Sequence, residues 1–372
     1  MATSKETING NVYYFKYIEL PRGIDGKRNR KKIRAKTVRE LNDKINKFKE
    51  KLDSGYNAEL DTNFYSFCKM WLEEVKFPKL KPTSREVYER ILRIHVKASP
   101  IAAIKVSEIT VLQVQTWYNS LNYSNSLMQQ IHKIIGGTLK YAFKCNLLQK
   151  DFSSVLEIPK QNAEPTRILT VEEYQRLIGV LDYNNLYDNI ISIAIFTGAR
   201  IGELSALTWG DLNGNVLTIN KTFKYVRNLN NGKYEPLISI PKTAAGKRTI
   251  ILPQKAIDLL EHHKLIQDEL KDKLGDKYKH KELIFANQQG NYLAPHTIRE
   301  HFAARLDEAN CPHVRFHSLR HLTATILLEN KIDIKTVSSI LGHANVEITQ
   351  NIYQHVLDSL KEEASNVLND VF

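Results

Sequence analysis

Between positions 158 and 168 the chain reads Ile158-Pro-Lys-Gln-Asn-Ala-Glu-Pro-Thr-Arg-Ile168, with two prolines and no hydrophobic periodicity. Such a stretch continues neither a helix nor a strand, and it reads as a linker. It divides the 372 residues into an upstream and a downstream part. At roughly 150 residues per domain, two or three domains are expected. The periodicities on the two sides differ, and this sets the fold class. The expectation is a multidomain chain, with a small α+β N-terminal piece (three-stranded sheet plus helix), an all-α helical bundle, and a mainly-α domain with a small antiparallel sheet.

The first piece spans residues 1–57. Asn9-Gly10 and Asp25-Gly26 are hairpin turn signals, and Val12 to Leu20 between them is rich in strand-forming aromatics. Lys31 to Lys36 can add a third strand. From Val38 to Leu52, apolar residues at 38, 41, 45, 48 and 52 make a helical stripe that Gly55 closes. Residues 58–160 carry helical stripes at 64–75, 83–96, 111–121 and 127–143, predicting a four- or five-helix bundle with Trp71 and Trp117 in its packing. Residues 165–372 are mixed. Helices are expected near 171–181 and 185–197, then strands at about 215–221, 223–228, 234–240 and 248–252. Beyond Pro253 the chain is helical, broken near 275–294 and 310–316, and a final amphipathic stripe follows Tyr353.

Charge narrows the function. The formal net charge is +12, and the excess is uneven. Residues 1–57 hold 15 Lys/Arg against 7 Asp/Glu, residues 58–160 hold 14 against 9, and the remainder is close to balance. Two basic segments in succession favour a polyanionic partner. Within the first, Arg28, Arg30, Lys31, Lys32 and Arg34 are expected on one sheet face, where they could enter a DNA groove. The longest apolar run, Ile190 to Phe196, is far short of the ~20 residues that span a bilayer, so no membrane partner is expected. Three scattered cysteines (Cys68, Cys145, Cys311) and an N-terminus without a signal-like apolar core fit a cytoplasmic protein.

The polar residues of the C-terminal half form a constellation. Thr197-Gly-Ala-Arg-Ile-Gly-Glu-Leu204 follows an apolar helix. Pro241-Lys-Thr-Ala-Ala-Gly-Lys-Arg248 is a turn between strands. His317-Ser-Leu-Arg-His321 opens another apolar helix, Leu341-Gly-His343 ends the next one, and Tyr353 lies ten residues on. Taken singly, each has an ordinary structural role: Arg200 can pair with Glu203, a histidine can cap, a tyrosine can pack. Together, two arginines, two histidines, a lysine and a tyrosine suit a phosphate and a nucleophile. Guanidinium forks match phosphate oxygens, and imidazoles move protons near neutrality.

These segments, in this order and spacing, resemble the tyrosine recombinase (integrase) family, and the two upstream pieces look like the core-site and arm-site binding domains of phage and conjugative-transposon integrases. The resemblance implies that Tyr353 attacks a scissile phosphodiester and becomes joined to the 3′-phosphate. It implies that Arg200 and Arg320 clamp the nonbridging oxygens, and that His343 donates a hydrogen bond to one of them. His317 serves as base or proton partner, and Lys242 protonates the leaving 5′-oxygen, with Lys247 its rival in the same turn. Glu203 orients the site. It also implies no cofactor and no metal. The expected partners are double-stranded DNA at core and arm sites, further copies of the chain in a synaptic tetramer, and accessory DNA-bending or directionality proteins. Association with the nucleoid follows.

Two other readings remain open at this stage. His313, His317 and His321 recur every four residues, a spacing that can hold zinc, but Pro312 makes a helical His313 doubtful and the glutamate of zinc proteases is missing. A type IB topoisomerase would use the same chemistry without exchanging partners, although the basic sheet and the segment after Tyr353 favour an integrase.

Overall fold

The computed structural model of the chain describes residues 4–20, 29–53, 55, 60–160, 167–229, 231–240, 246–342 and 345–353. The Asp25-Gly26 turn, Arg28, Lys242, His343 and the segment after Tyr353 lie outside these residues. The chain divides into two compact units, residues 1–164 and 165–372, with the division inside the proline-bearing stretch.

In the first unit, β1 (Ser4–Ile8), β2 (Asn11–Leu20) and β3 (Asn29–Ala35) form an antiparallel sheet in that order. The β1–β2 turn is Asn9-Gly10, both at positive φ (49° and 77°), as the two-residue hairpin needs. Helix α1 (Val38–Asp53) begins on two side-chain-to-backbone hydrogen bonds. The Thr37 hydroxyl accepts from the Glu40 N–H, and the Glu40 carboxylate accepts from the Lys36 N–H. Its stripe of Leu41, Ile45 and Phe48 is buried together with Ile18 and Ala35 of the sheet.

The two-residue period of β3 corrects the expectation of a single cationic face. Arg30, Lys32 and Arg34 are exposed and lie across from Glu19, Tyr17 and Phe15 of β2. Lys31 falls on the opposite side, its ammonium 4.5 Å from the centre of the Phe48 ring. Adjacent strand residues cannot share a face. The open face carries cations over aromatic rings: Lys32 is 3.9 Å from the Phe15 centroid, and Arg30 is 5.2 Å from that of Tyr17.

Helices follow. Helix α2 (Phe64–Met70), capped by the Asn63 side chain, continues through a wide π-type turn at Trp71–Lys76. Helix α3 (Pro82–Ile91) likewise runs into a π-type turn, Leu92–Val96. Helices α4 (Val111–Ser120) and α5 (Asn125–Lys144) complete the bundle. Trp71 and Trp117 are buried packing residues, as expected.

In the second unit, α6 (Val171–Gly179), α7 (Leu186–Thr197) and the short α8 (Ile201–Leu204) precede the strands. These are β4 (Leu212–Asn213), β5 (Val216–Ile219), β6 (Thr222–Arg227), β7 (Tyr234–Ser239) and β8 (Arg248–Ile251). They make two sheets rather than one: β4, β5 and β8 pair in that order, and β6–β7 is a separate hairpin. Helices α9 (Gln254–Leu274), α10 (Pro295–Glu308), α11 (Ser318–Glu329), α12 (Ile334–Leu341) and α13 (Val346–Ile352) follow. Helix α7 is the axis of this unit. Ile190, Ile191 and Ile193 are fully buried, and its buried Asp188 is held by His301 (2.6 Å) and Arg305 (2.8 Å). Among the described residues no helix is long and apolar enough to cross a membrane.

Gly137 in α5 lets the Trp71 indole lie against the helix, since a Cβ there would sit 2.5 Å from the ring. Gly137→Val should destabilise the chain by about 1–3 kcal/mol through overpacking, read as a lower midpoint in equilibrium denaturation.

Candidate active site

Helix α7 ends at Gly198, whose left-handed backbone (φ 58°) returns its N–H to the Ala194 carbonyl. The chain turns at once into α8, with Arg200 at its N-cap. The Glu203 carboxylate reaches back to this turn and accepts from the Arg200 N–H (3.0 Å) and the Arg200 guanidinium (2.8 Å). The pairing of these two residues, read from the sequence as an ordinary structural option, is therefore present and belongs to the site.

A third arginine completes this arrangement. Arg248, the first residue of β8, donates from Nη2 to Glu203 (2.8 Å) and from Nε to the Ile340 carbonyl in the last turn of α12 (2.7 Å). Glu203 thus bridges two guanidinium groups. Burial works against its charge, but Arg248 first and then Arg200 outweigh it and hold the carboxyl below the usual range. Arg320 of α11 is 2% exposed and donates from Nη1 to the Gly198 carbonyl (2.9 Å). Burial, then the nearby Arg200 and Arg248, push it down to about 9, which leaves it charged at neutral pH. Arg320 Nη2 and Arg248 Nη1 are buried with no hydrogen-bond partner among the described residues. A buried N–H donor without an acceptor is unfavourable, and an anion at this place relieves that cost. Arg200 keeps 42% of its side chain exposed.

On α11, His317 is the N-cap residue and His321 stands one turn further on, their ring centres 5.1 Å apart. His317 is pushed down to about 4 by burial first, then by His321, Arg320 and Arg200. It is a neutral imidazole at pH 7. Tyr353 follows α13, fully buried against Ala324, Leu328, Val337 and Leu341. Its hydroxyl lies 2.7 Å from Nδ1 of His321. Burial raises the Tyr353 pKa, and Arg320 works in the opposite direction.

The structure therefore brings Arg200, Glu203, His317, Arg320 and Tyr353 into one cluster. Lys242 and His343 flank it in sequence but lie outside the described residues; Lys247, the rival of Lys242, is exposed just before β8. The histidine against the tyrosine hydroxyl is His321, not His317. His321 shares the helical face of His317 at i+4, so its spacing was a usable signal. Arg248 was missed altogether. Its signal was a charged residue in the inward phase of a strand, where Arg248 and Ile250 are buried and Thr249 and Ile251 exposed. Among the described residues no group of three His, Cys, Asp or Glu could hold a metal ion, and His313 is instead paired with Asp307 at 2.7 Å.

Comparison with known proteins gives the family and the fold. Residues 167–359 match the phage integrase family, and residues 63–122 match the N-terminal SAM-like domain of phage integrases. The chain is 31% identical to a tyrosine recombinase XerC-like protein of Caldanaerobacter subterraneus subsp. tengcongensis, over 98% of this chain and 97% of that protein. It is 22% identical to the transposase from transposon Tn916 of Enterococcus faecalis, over 92% of this chain and 85% of that one. Among solved structures, its fold is similar to the Tn1549 transposon integrase in complex with a circular intermediate DNA. There the TM-score is 0.64 at 18% identity, covering 82% of this chain and 99% of that one. It is also similar to a lambda integrase tetramer bound to a Holliday junction, with a TM-score of 0.55 at 18% identity, covering 92% and 95%.

Breaking a buried ion pair from one side leaves the other charge uncompensated. Arg248→Ala should cost about 3–5 kcal/mol, measured by chemical denaturation, and more than Arg200→Ala, whose guanidinium is partly solvated.

Proposed function

The chain belongs to the phage integrase family and is a tyrosine recombinase, and from that membership we propose that it cuts and rejoins DNA at specific sites of a mobile element with Tyr353 as nucleophile. The observation that carries this assignment is the Tyr353 hydroxyl held by an imidazole beside a guanidinium cluster with unpartnered buried donors. A phenol has a pKa of about 10 even before burial, so attack at neutral pH needs a proton acceptor and a field of positive charge. Arg320 and Arg200 supply the field at the nonbridging oxygens, whose charge grows as the phosphorus becomes five-coordinate. His317 contributes a neutral imidazole beside them, as proton partner. His343 is assigned a hydrogen bond to the same oxygens, and Lys242 the protonation of the leaving 5′-oxygen, by the motif positions they occupy. The phosphotyrosyl bond conserves the energy of the diester it replaces, so resealing onto a second strand needs no ATP, and the arginines take the place that a metal cation would fill.

The two basic pieces upstream take the DNA-holding role. We assign residues 58–160 to the core site next to the scissile phosphate. Residues 1–57 go to a separate arm site, where Arg30, Lys32 and Arg34 on the open sheet face meet phosphates. Exchange between two duplexes requires several copies of the chain in one assembly, and DNA-bending or directionality proteins are its expected helpers. A recombinase of this kind works where the chromosome lies, at the nucleoid.

Tyr353→Phe keeps the ring and its packing but removes the nucleophile. It should bind core-site DNA normally and yield no covalent DNA–protein adduct on a nicked suicide substrate; an adduct of wild-type yield would place the nucleophile elsewhere. Replacing Arg30, Lys32 and Arg34 together by serine should make the slope of log K against log salt shallower by about 1–3 for arm-site DNA. Core-site cleavage should be unchanged. An equal loss at both kinds of site would contradict the division of labour.

A further inference from the structure

The partner of the Tyr353 hydroxyl is a residue to which the integrase motif gives no role. His321 lies 2.7 Å from that hydroxyl through Nδ1, and its ring stands 5.1 Å from that of His317. We propose that His321 is a catalytic residue of this recombinase, the group that orients the Tyr353 hydroxyl and takes its proton when the tyrosine attacks. The proposal rests on the assignment of Tyr353 as nucleophile.

The geometry favours His321 over His317 for this step. Residues four apart on a helix share a face and stand one turn apart along it. That one turn carries His321 toward the end of α13, where the tyrosine is held, while His317 remains at the N-cap of α11. The charged and titratable groups around His321, among the described residues, are few. His317 and Arg320 share its helix, Tyr353 faces it from the end of α13, and Arg200, Glu203 and Arg248 lie beyond Arg320. Among the described residues no carboxylate shifts the pKa of the ring. Burial first, then Arg320, favour the neutral imidazole. Neutral imidazole with its proton on Nε2 leaves Nδ1 as an acceptor, so the phenol donates to it.

The step balances without an outside reagent. The phenolic O–H bond breaks as its proton passes to Nδ1, and the phenolic oxygen forms the bond to phosphorus. The P–O5′ bond breaks, and its electron pair leaves on the 5′-oxygen, which takes a proton from the lysine assigned above. The scissile phosphodiester brings a negative charge beside Arg320, which offsets the repulsion between Arg320 and the imidazolium that forms. On resealing, a 5′-hydroxyl forms the bond to phosphorus and gives its proton to the now neutral lysine, while the phosphotyrosyl bond breaks and the imidazolium returns its proton to the tyrosine oxygen.

Single-turnover cleavage of a suicide core-site substrate over a range of pH tests this. The full-length chain is used, with gel-shift binding and thermal melting as controls. Wild type should lose rate as pH falls through an imidazole ionisation below the ordinary value of about 6.5. His321→Gln should be slower by about 10²- to 10⁴-fold and lack that acid limb. His321→Asn, whose amide oxygen can stand near the place of Nδ1, should recover part of the rate but not the limb. His317→Gln should be slower yet keep it. A substrate with sulfur in place of the bridging 5′-oxygen needs no leaving-group proton, so it should rescue Lys242→Ala and leave His321→Gln slow. If His317→Gln removes the acid limb, or if His321→Gln keeps both rate and limb, His321 is not the acceptor. The His317 measurement decides this even if the His321 variants fail to melt cooperatively. If Tyr353→Phe still forms the adduct, the nucleophile assignment itself falls, and the role of His321 with it. If Tyr353→Phe is inert while His321→Gln is normal, only the role of His321 falls.

Discussion

The buried carboxylate of Glu203 holds the catalytic unit to a single arrangement. It accepts from Arg200 at the start of α8 and from Arg248 at the start of β8, and Arg248 in turn fastens the last turn of α12. Three segments far apart in the chain are thereby fixed through one anion with two cationic partners. Desolvating such a group is costly, and it is tolerated here because nearly all of its lone-pair directions are filled by charge-assisted donors. The same carboxylate offsets part of the mutual repulsion of Arg200, Arg248 and Arg320. Positive charge still remains in excess over this one carboxylate, which suits a site meant for a phosphodiester.

Tyr353 depends on that framework indirectly. It stands after the short helix α13, and α12 before that is closed by Gly342, a left-handed residue (φ 69°). The position of the hydroxyl is therefore set by the end of α12 as well as by His321. Arg248 reaches the same end through the Ile340 carbonyl. The start of β8 and the last turn of α12 are in this way tied together.

Much of this was legible in the sequence. Helical stripes and turn signals gave the strand and helix order because local periodicity reports which face is buried. Thr197-Gly-x-Arg, His317-x-x-Arg320 and Tyr353 were legible because their chemistry is concentrated in short motifs. Arg248 was not, since its role depends on meeting Glu203 and Ile340 from 45 and 92 positions away, and nothing local announces such a contact. Of His321 the sequence shows only its place four residues beyond His317, and that spacing does not say which of the two meets the tyrosine. The sheet cations were read as one group of five. Counting alternate positions would have separated Lys31 from Arg30, Lys32 and Arg34 before any coordinates.

Gly198 has no functional group, yet the site is anchored on its backbone. Its carbonyl holds Arg320, its left-handed φ directs the chain into Arg200, and a Cβ there would lie 2.6 Å from Leu341. Every side chain other than hydrogen would strain the turn and press on Leu341 at the end of α12. Substitution at this one position would therefore disturb Arg200, Arg320 and Tyr353 together. Change at position 198 alone is therefore expected to disarm this enzyme with Arg200, Arg320 and Tyr353 still in place.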